Sequence, residues 1–167
     1  EGVGVVERIG PRVTKVKISE KVIIGWIVGQ GFNSMPPHFL TTNGMLINSG
    51  AATTFSEYSV VSENRVCIAP EGFSDDFLPL FGCALLTGGG MALNHFDEKL
   101  HENILVLGFG GVGSSAAVVL DSFNTTSMVI LDESEARRNQ ARLMGFSNVF
   151  SFEEFKSSNR NNLIDKF

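Results

Sequence analysis

The chain has 167 residues, of which 43% are hydrophobic and 19% charged, with a formal net charge of −5. That length suits one ordinary domain or one and a fraction, and the composition is that of a soluble globular protein. The acidic balance and the lack of a basic cluster argue against nucleic acid, no apolar run reaches the roughly 18 residues needed to cross a membrane, and no signal peptide is visible.

Two cysteines, Cys67 and Cys83, give no disulfide framework and suit a reducing cytoplasm. The first residue is Glu1, inside what reads as a strand, and the last is Phe167, with only three strands of an α/β sheet accounted for. Both ends read as cuts through a longer protein.

In chain order, residues 3–9 and 12–18 read as two strands around the Gly10-Pro11 turn, and 21–28 as a third, rich in β-branched residues. From Gly29 to Gly50 the periodicity is lost and Gly, Asn, Ser and Pro36-Pro37 mark a long irregular excursion. Residues 53–61 and 65–68 resume as strands. This spacing predicts a small β-barrel or sandwich for the first 70 or so residues. At Ser74 the period changes. Ser74-Asp75-Asp76 has the form of an N-cap with acids in the first turn, and Phe77, Leu80, Phe81, Ala84 and Leu85 follow at helical spacing. Gly88-Gly89-Gly90 then interrupts, either ending the helix or admitting a close ligand, with Met91 to Asn94 able to carry the helix on. A polar stretch over 95–102 follows.

The strongest motif comes next. The apolar run Ile104-Leu105-Val106-Leu107 leads into Gly108-Phe109-Gly110-Gly111-Val112-Gly113, a helix is expected over 114–123, and a second apolar run, 128–131, ends on Asp132. A G-x-G-x-x-G between strand and helix, with an acid about 20 residues on, is the dinucleotide-binding fingerprint. Gly108 permits the tight turn, Gly110 lets backbone approach a pyrophosphate, and Gly113 allows close helix packing. Unpaired N–H groups at the helix start would face the phosphates. Asp132 can accept hydrogen bonds from a ribose diol, and with Glu133 it would repel a 2′-phosphate, so NAD is expected rather than NADP. A glycine-rich turn in a nucleotide-free domain is the plain alternative. A second helix is expected over 133–144, closed by Gly145 as a C-cap, then a short strand over 148–151, a short helix from Phe152, a turn near 157–162 and a last apolar pair. His38, His95 and His101 lack partners at ligand spacing and read as surface or capping residues.

Four segments together resemble the zinc-dependent alcohol dehydrogenases of the medium-chain dehydrogenase/reductase superfamily. Residues 1–10 resemble the family's G-H-E-x-x-G segment without its first two residues. Thr54-Phe55-Ser56-Glu57-Tyr58 resembles its T-F-x-E-Y strand, Gly82-Cys83-Ala84-Leu85-Leu86-Thr87-Gly88 its G-C-x-x-x-T-G helix, and Gly108–Gly113 with Asp132 its coenzyme fingerprint.

The resemblance implies a β plus α/β architecture: a GroES-like β-barrel domain over 1–75, a connecting helix and linker over 76–102, and a partial Rossmann domain, a doubly wound parallel sheet, over 103–167. It implies catalytic places for three residues: Cys83 as a zinc ligand, Glu1 as the acid behind the zinc, and Thr87 against the nicotinamide. Coenzyme contacts fall to Gly108, Gly110, Gly111, Val112, Gly113, Asp132, Arg137 and Thr87. NAD and a catalytic zinc are the implied cofactors, with the remaining zinc ligands upstream of this chain. No cysteine lies between residues 1 and 66, so the family's structural-zinc lobe is not expected; the 29–50 excursion is either a connection or a substrate and subunit contact surface. The implied activity is hydride transfer between an alcohol or aldehyde and nicotinamide, in an intact homodimer or homotetramer. A zinc-independent quinone-type or enoyl-type reductase of the same superfamily, or a non-catalytic remnant keeping the fold, are the alternatives.

Overall fold

The computed structural model describes residues 1–96, 103–123 and 127–157. It divides into two compact units, 1–83 and 84–167.

The first unit is built on a three-stranded antiparallel sheet. Strands β1 (Gly2–Val5), β2 (Lys21–Ile24) and a later strand (Val66–Ile68) lie in the order β1, β2, Val66–Ile68. Gly2 pairs with Ile24 and Val22 with Ile68, so the central strand is paired on both sides. Val22, Ile24 and Val66 bury with Val16, and Val6, Val13, Ala52 and Val61 pack against them. A separate two-stranded hairpin, β3 (His38–Leu40) with β4 (Leu46–Asn48), stands inside the expected irregular excursion. The strand Val66–Ile68 is β5.

Two expected strands are absent, each for a physical reason. Over 12–18, the N–H groups of Thr14 and Lys15 both donate to Glu63 Oε1 at 2.5 Å instead of joining a ladder. Over 53–61, hydroxyls bind nearby carbonyls: Thr53 to Ser49, Ser59 to Thr53 and Ser56 to Tyr58. Side chains that satisfy backbone locally compete with sheet formation. A GroES-like barrel is therefore not laid out strand by strand as the sequence suggested; the described residues give a small sheet, a hairpin and long ordered loops.

Glu63 holds those loops. It sits in a short 3-10 turn, Glu63–Arg65, and is 5% exposed. Besides Thr14 and Lys15 it accepts the N–H of Phe32 through Oε2 at 2.6 Å. The Phe32, Lys15 and Thr14 N–H bonds outweigh the opposing effect of burial and hold this carboxyl below the ordinary glutamate range.

The second unit is α/β. Its elements are α1 (Ala84–His95), β6 (Asn103–Leu107), α2 (Gly111–Asp121), β7 (Ser127–Leu131), α3 (Glu135–Leu143), β8 (Val149–Phe150) and α4 (Phe152–Ser157). The three strands are parallel in the order β6-β7-β8, with Leu107 opposite Leu131 and Ile130 opposite Val149. Alternation sorts the side chains to two faces. Val106, Ile130 and Val149 bury with Phe109, Ala117 and Ala141, the last two from α2 and α3. Val129 and Leu131 bury with Phe155 of α4, against Leu105 and Phe150. Covering both faces is the usual requirement of a parallel sheet. Gly145 has φ +99°, its N–H donates to the Arg142 carbonyl at 3.0 Å, and the Phe146 N–H reaches Ala141 at 3.2 Å, which is a Schellman close to α3.

The expected helix from Ser74 is corrected. Pro79 stands where a helix begun at Asp75 would suffer both a missing N–H and a ring clash, and residues 78–82 form a 3-10 helix instead. Cys83 then breaks it at φ −149° and ψ −71°. The α-helix starts only at Ala84, packs on α2, and runs through Gly88-Gly89-Gly90, which neither end nor interrupt it. A Cβ on Gly88 would lie 2.1 Å from the Val112 carbonyl oxygen, so the glycines let two helix backbones touch. His101, the end of the 157–162 turn and the last apolar pair lie outside the described residues.

Glu63→Gln lowers the melting temperature at neutral pH. Because the folded carboxyl titrates below its unfolded value, its contribution is present above the ordinary glutamate range and vanishes as pH falls through the depressed folded value. Thermal melts of the two proteins therefore converge in acid; a difference that persists there contradicts this role.

Candidate functional site

The glycine loop between β6 and α2 is built from strict spatial demands. Gly108 has φ +90°, a conformation that suits glycine. Its N–H donates to the Leu131 carbonyl at 2.7 Å, carrying the β6–β7 pairing into the loop. A Cβ on Gly113 would lie 1.9 Å from the Gly108 carbonyl oxygen, so the turn can close only with glycine at both places. Gly110 caps α2 in extended conformation, and no side chain caps that end. The first-turn N–H groups of Gly111, Val112 and Gly113 have no partner within the helix, since the Ser114 N–H is the first to reach back, to Gly110 at 2.8 Å. The macrodipole adds positive potential at the same spot.

Asp132, one residue beyond β7, is 5% exposed. Its Oδ2 accepts the Phe109 N–H and its Oδ1 the Ser134 N–H, each at 2.7 Å. Arg137 Nη1 stands 3.7 Å from Oδ2. Burial alone would raise this carboxyl, but the two N–H bonds and the Arg137 charge prevail and hold it below the ordinary aspartate range. It is an anion at neutral pH, with lone pairs left to accept further donors. Arg137 is half exposed and also lies beside Gly110, 3.9 Å from where a Cβ would stand. Arg138, next along α3, is committed to the backbone. Its Nη1 donates to the Asp132 and Glu133 carbonyls, both at 2.9 Å, and clamps the strand end.

Thr87 is exposed on α1, next to Gly88, which touches Val112 of α2. Ala84 of the same helix lies 3.7 Å from the Cβ position of Gly111. Sequence reasoning missed Ser115, whose hydroxyl donates to the Leu85 carbonyl at 2.9 Å and fixes α1 along α2. A serine in the middle of a small-residue helix was the available signal. The structure thus brings Gly108, Gly110, Gly111, Val112, Gly113, Asp132 and Arg137 together, with Thr87 on the helix packed against them.

In the first unit, Cys83 is partly buried and unpaired. The Glu1 side chain packs on the adjoining residue: a Cβ on Gly82 would lie 2.9 Å from Glu1 Cβ and Cγ. Among the described residues no three of His, Cys, Asp and Glu come together as a metal site.

No family model matches the chain. Curated proteins do. An alcohol dehydrogenase class-3 from Myxine glutinosa is 31% identical over 170 residues, covering 87% of this chain and 45% of that protein. A putative S-(hydroxymethyl)glutathione dehydrogenase 2 from Schizosaccharomyces pombe is 26% identical over 98% of this chain and 50% of its own length. Over part of their length, the chain is thus similar to proteins named as alcohol dehydrogenases. It spans about half the length of the curated relatives it matches. The fold agrees with solved structures: benzyl alcohol dehydrogenase from Acinetobacter calcoaceticus superposes with a TM-score of 0.73 at 22% identity, over 94% of this chain and 48% of that one. An alcohol dehydrogenase zinc-binding domain protein from Burkholderia ambifaria gives 0.65 at 18% identity, over 93% and 48%.

For this loop the Asp132→Asn substitution is informative. The amide group of the new side chain must face the N–H of either Phe109 or Ser134, leaving a buried donor unpaired. The expected loss is roughly 1–3 kcal/mol in urea unfolding; an unchanged midpoint would show that the carboxylate does not hold the loop.

Proposed function

We propose that this chain is the coenzyme-cradling and thiolate-bearing part of an NAD(H)-dependent, zinc-assisted alcohol dehydrogenase, which moves hydride between an alcohol or aldehyde and nicotinamide. The observation that carries the reading is the closed glycine turn at an uncapped helix start, joined by hydrogen bond to a buried, ionised Asp132.

The residues present fit a dinucleotide. The N–H groups of Gly111, Val112 and Gly113 would receive the pyrophosphate, where anions are favoured by both donors and dipole. Gly110 leaves the approach open. Asp132 would accept the ribose hydroxyls, with Arg137 beside it against the adenosine side. Its negative charge disfavours a 2′-phosphate, which supports NAD over NADP. Thr87 would stand against the nicotinamide, on a helix held to the cradle by Gly88 and Ser115. When bound, the nicotinamide supplies the hydride acceptor or donor. The protein's part is to hold ring and substrate carbon in contact and exclude water.

The residues present do not make a zinc site. A catalytic zinc takes about three protein ligands and one open position. Here Cys83 offers one sulfur ligand, with Glu1, packed on the adjoining Gly82, as the supporting acid. We read both as one side of a site completed by ligands that this chain does not carry. The domain assignment we favour is a GroES-like part over 1–75, a connecting segment over 76–102 and a Rossmann part over 103–167. The zinc-independent reductase and the non-catalytic remnant are disfavoured because the matched relatives are named alcohol dehydrogenases.

Titration of the purified chain with NADH, followed by the coenzyme's fluorescence, tests the reading. Binding is expected to be weak, and at least about tenfold tighter than for NADPH, a difference of about 1.4 kcal/mol. No NADH signal, or equal affinity for both coenzymes, would sink it.

A further inference from the structure

The turn of the hairpin β3–β4 has no place in the coenzyme reading, and it carries a chemically reactive pair. Asn43-Gly44 is the only Asn-Gly in the sequence. The side-chain amide carbon of an asparagine lies within reach of the next backbone nitrogen, and glycine puts no Cβ in the way of that approach. Here Gly44 takes φ +81° and its N–H donates to the Thr41 carbonyl at 2.9 Å, which makes a three-residue hairpin loop over 42–44. Thr42, Asn43 and Gly44 are all exposed, and a Cβ built on Gly44 would meet nothing within 4 Å, so water reaches both reacting groups. The Thr41 hydroxyl accepts the Met45 N–H at 2.9 Å and holds its own proton between Asn43 Oδ1 and the Met45 carbonyl. A donor at Oδ1 stabilises the negative charge that develops there when Cγ is attacked. The turn bond to Thr41 restrains the attacking nitrogen, but it belongs to a two-stranded ribbon whose six strand residues are all exposed. Such a ribbon is marginal in water and opens readily.

Neighbouring asparagines are held differently. Asn33 and Asn48 each precede a serine, whose Cβ crowds the approach. The Ser34 N–H is taken by Ser62 Oγ at 3.0 Å, and Asn33 Oδ1 accepts from Asn64 Nδ2 at 3.2 Å. Asn48 is paired with His38 in β4, and its Oδ1 accepts the Gly50 N–H at 3.0 Å. Asn64 is buried, and Asn94 and Asn139 lie in helices.

We propose that Asn43 is a site of spontaneous deamidation, set by the exposed Asn43-Gly44 turn. The Gly44 nitrogen gives its proton to solvent and bonds to Asn43 Cγ. The bond from Cγ to the side-chain nitrogen breaks, and that nitrogen leaves as ammonia with a proton from water. One water then opens the cyclic imide at either of its two carbonyls, giving aspartate or isoaspartate. Nothing is oxidised or reduced. Each conversion places a negative charge in a segment, Val22 to Ser56, that contains no Lys, Arg, Asp or Glu. The isoaspartate also adds a carbon to the main chain of the loop, which sets the hairpin register. The modification is independent of the coenzyme cradle.

Peptide mass spectrometry of the full chain, incubated in mildly alkaline buffer and sampled over time, tests it, with fragment spectra locating each conversion. Asn43 is expected to convert first, to a mixture of isoaspartate and aspartate, at least about tenfold faster than Asn33 or Asn48, a barrier difference of about 1.4 kcal/mol. Gly44→Ala is expected to slow the reaction by at least about the same factor. A parallel incubation in urea isolates the part played by the fold, and the folded chain is expected to convert within about tenfold of the unfolded one. An Asn43 that outlasts Asn33 or Asn48, a product that is aspartate alone, a Gly44 variant that reacts at the parent's rate, or a folded chain protected beyond that factor would each overturn the proposal.

Discussion

One buried carboxylate organises the α/β half of this protein. Asp132 accepts an N–H from Phe109, in the glycine loop after the first strand, and another from Ser134, at the start of α3. It therefore ties two consecutive strand-to-helix turns to one point at the strand ends. Burial works against an ionised carboxyl, and the charge survives because donors are aimed at it. The same arrangement leaves an anion with spare lone pairs beside an uncapped helix start. Under the proposed function, architecture and binding chemistry share this one residue, so altering it also alters the fold.

Close approach of backbone to backbone is the second constraint. Gly113 meets the Gly108 carbonyl, and Gly88 meets the Val112 carbonyl. Each glycine in a helix interior costs about 1 kcal/mol relative to alanine. Here the return is contact distance. The turn closes tightly enough to expose its N–H groups, and α1 lies against the first turn of α2. Thr87 is thus carried on an element fixed to the cradle, through Gly88 and the Ser115 hydroxyl.

The α/β half was legible because its signals are local. The apolar run over 104–107, the glycine spacing, Asp132 and the Gly145 cap are each short-range patterns with one good structural solution. The β half was much less legible because its organising contact is remote. Nothing near Thr14 or Phe32 announces that their N–H groups will be taken by Glu63, and without that acid the 12–18 segment reads as a strand. The Ser- and Thr-rich segment over 53–61 failed for the opposite reason, since its hydroxyls satisfy carbonyls too close in sequence to leave a ladder. Pro79 was a visible signal against a helix from Ser74, outweighed in the pattern by the regular apolar spacing around it. The glycine triad looked like a break because intrinsic propensity disfavours it, whereas helix packing decides.

The central claim is that the first turn of α2, with Asp132, is the place where a dinucleotide sits. The most direct measurement is the amide spectrum of the isotope-labelled chain during titration with ADP-ribose, which carries the pyrophosphate and the adenine ribose without the nicotinamide. The account predicts shifts concentrated at Gly110, Gly111, Val112 and Gly113, with a second group at Asp132, Glu133 and Ser134. Shifts confined to other residues, or a spectrum that does not change, would contradict it.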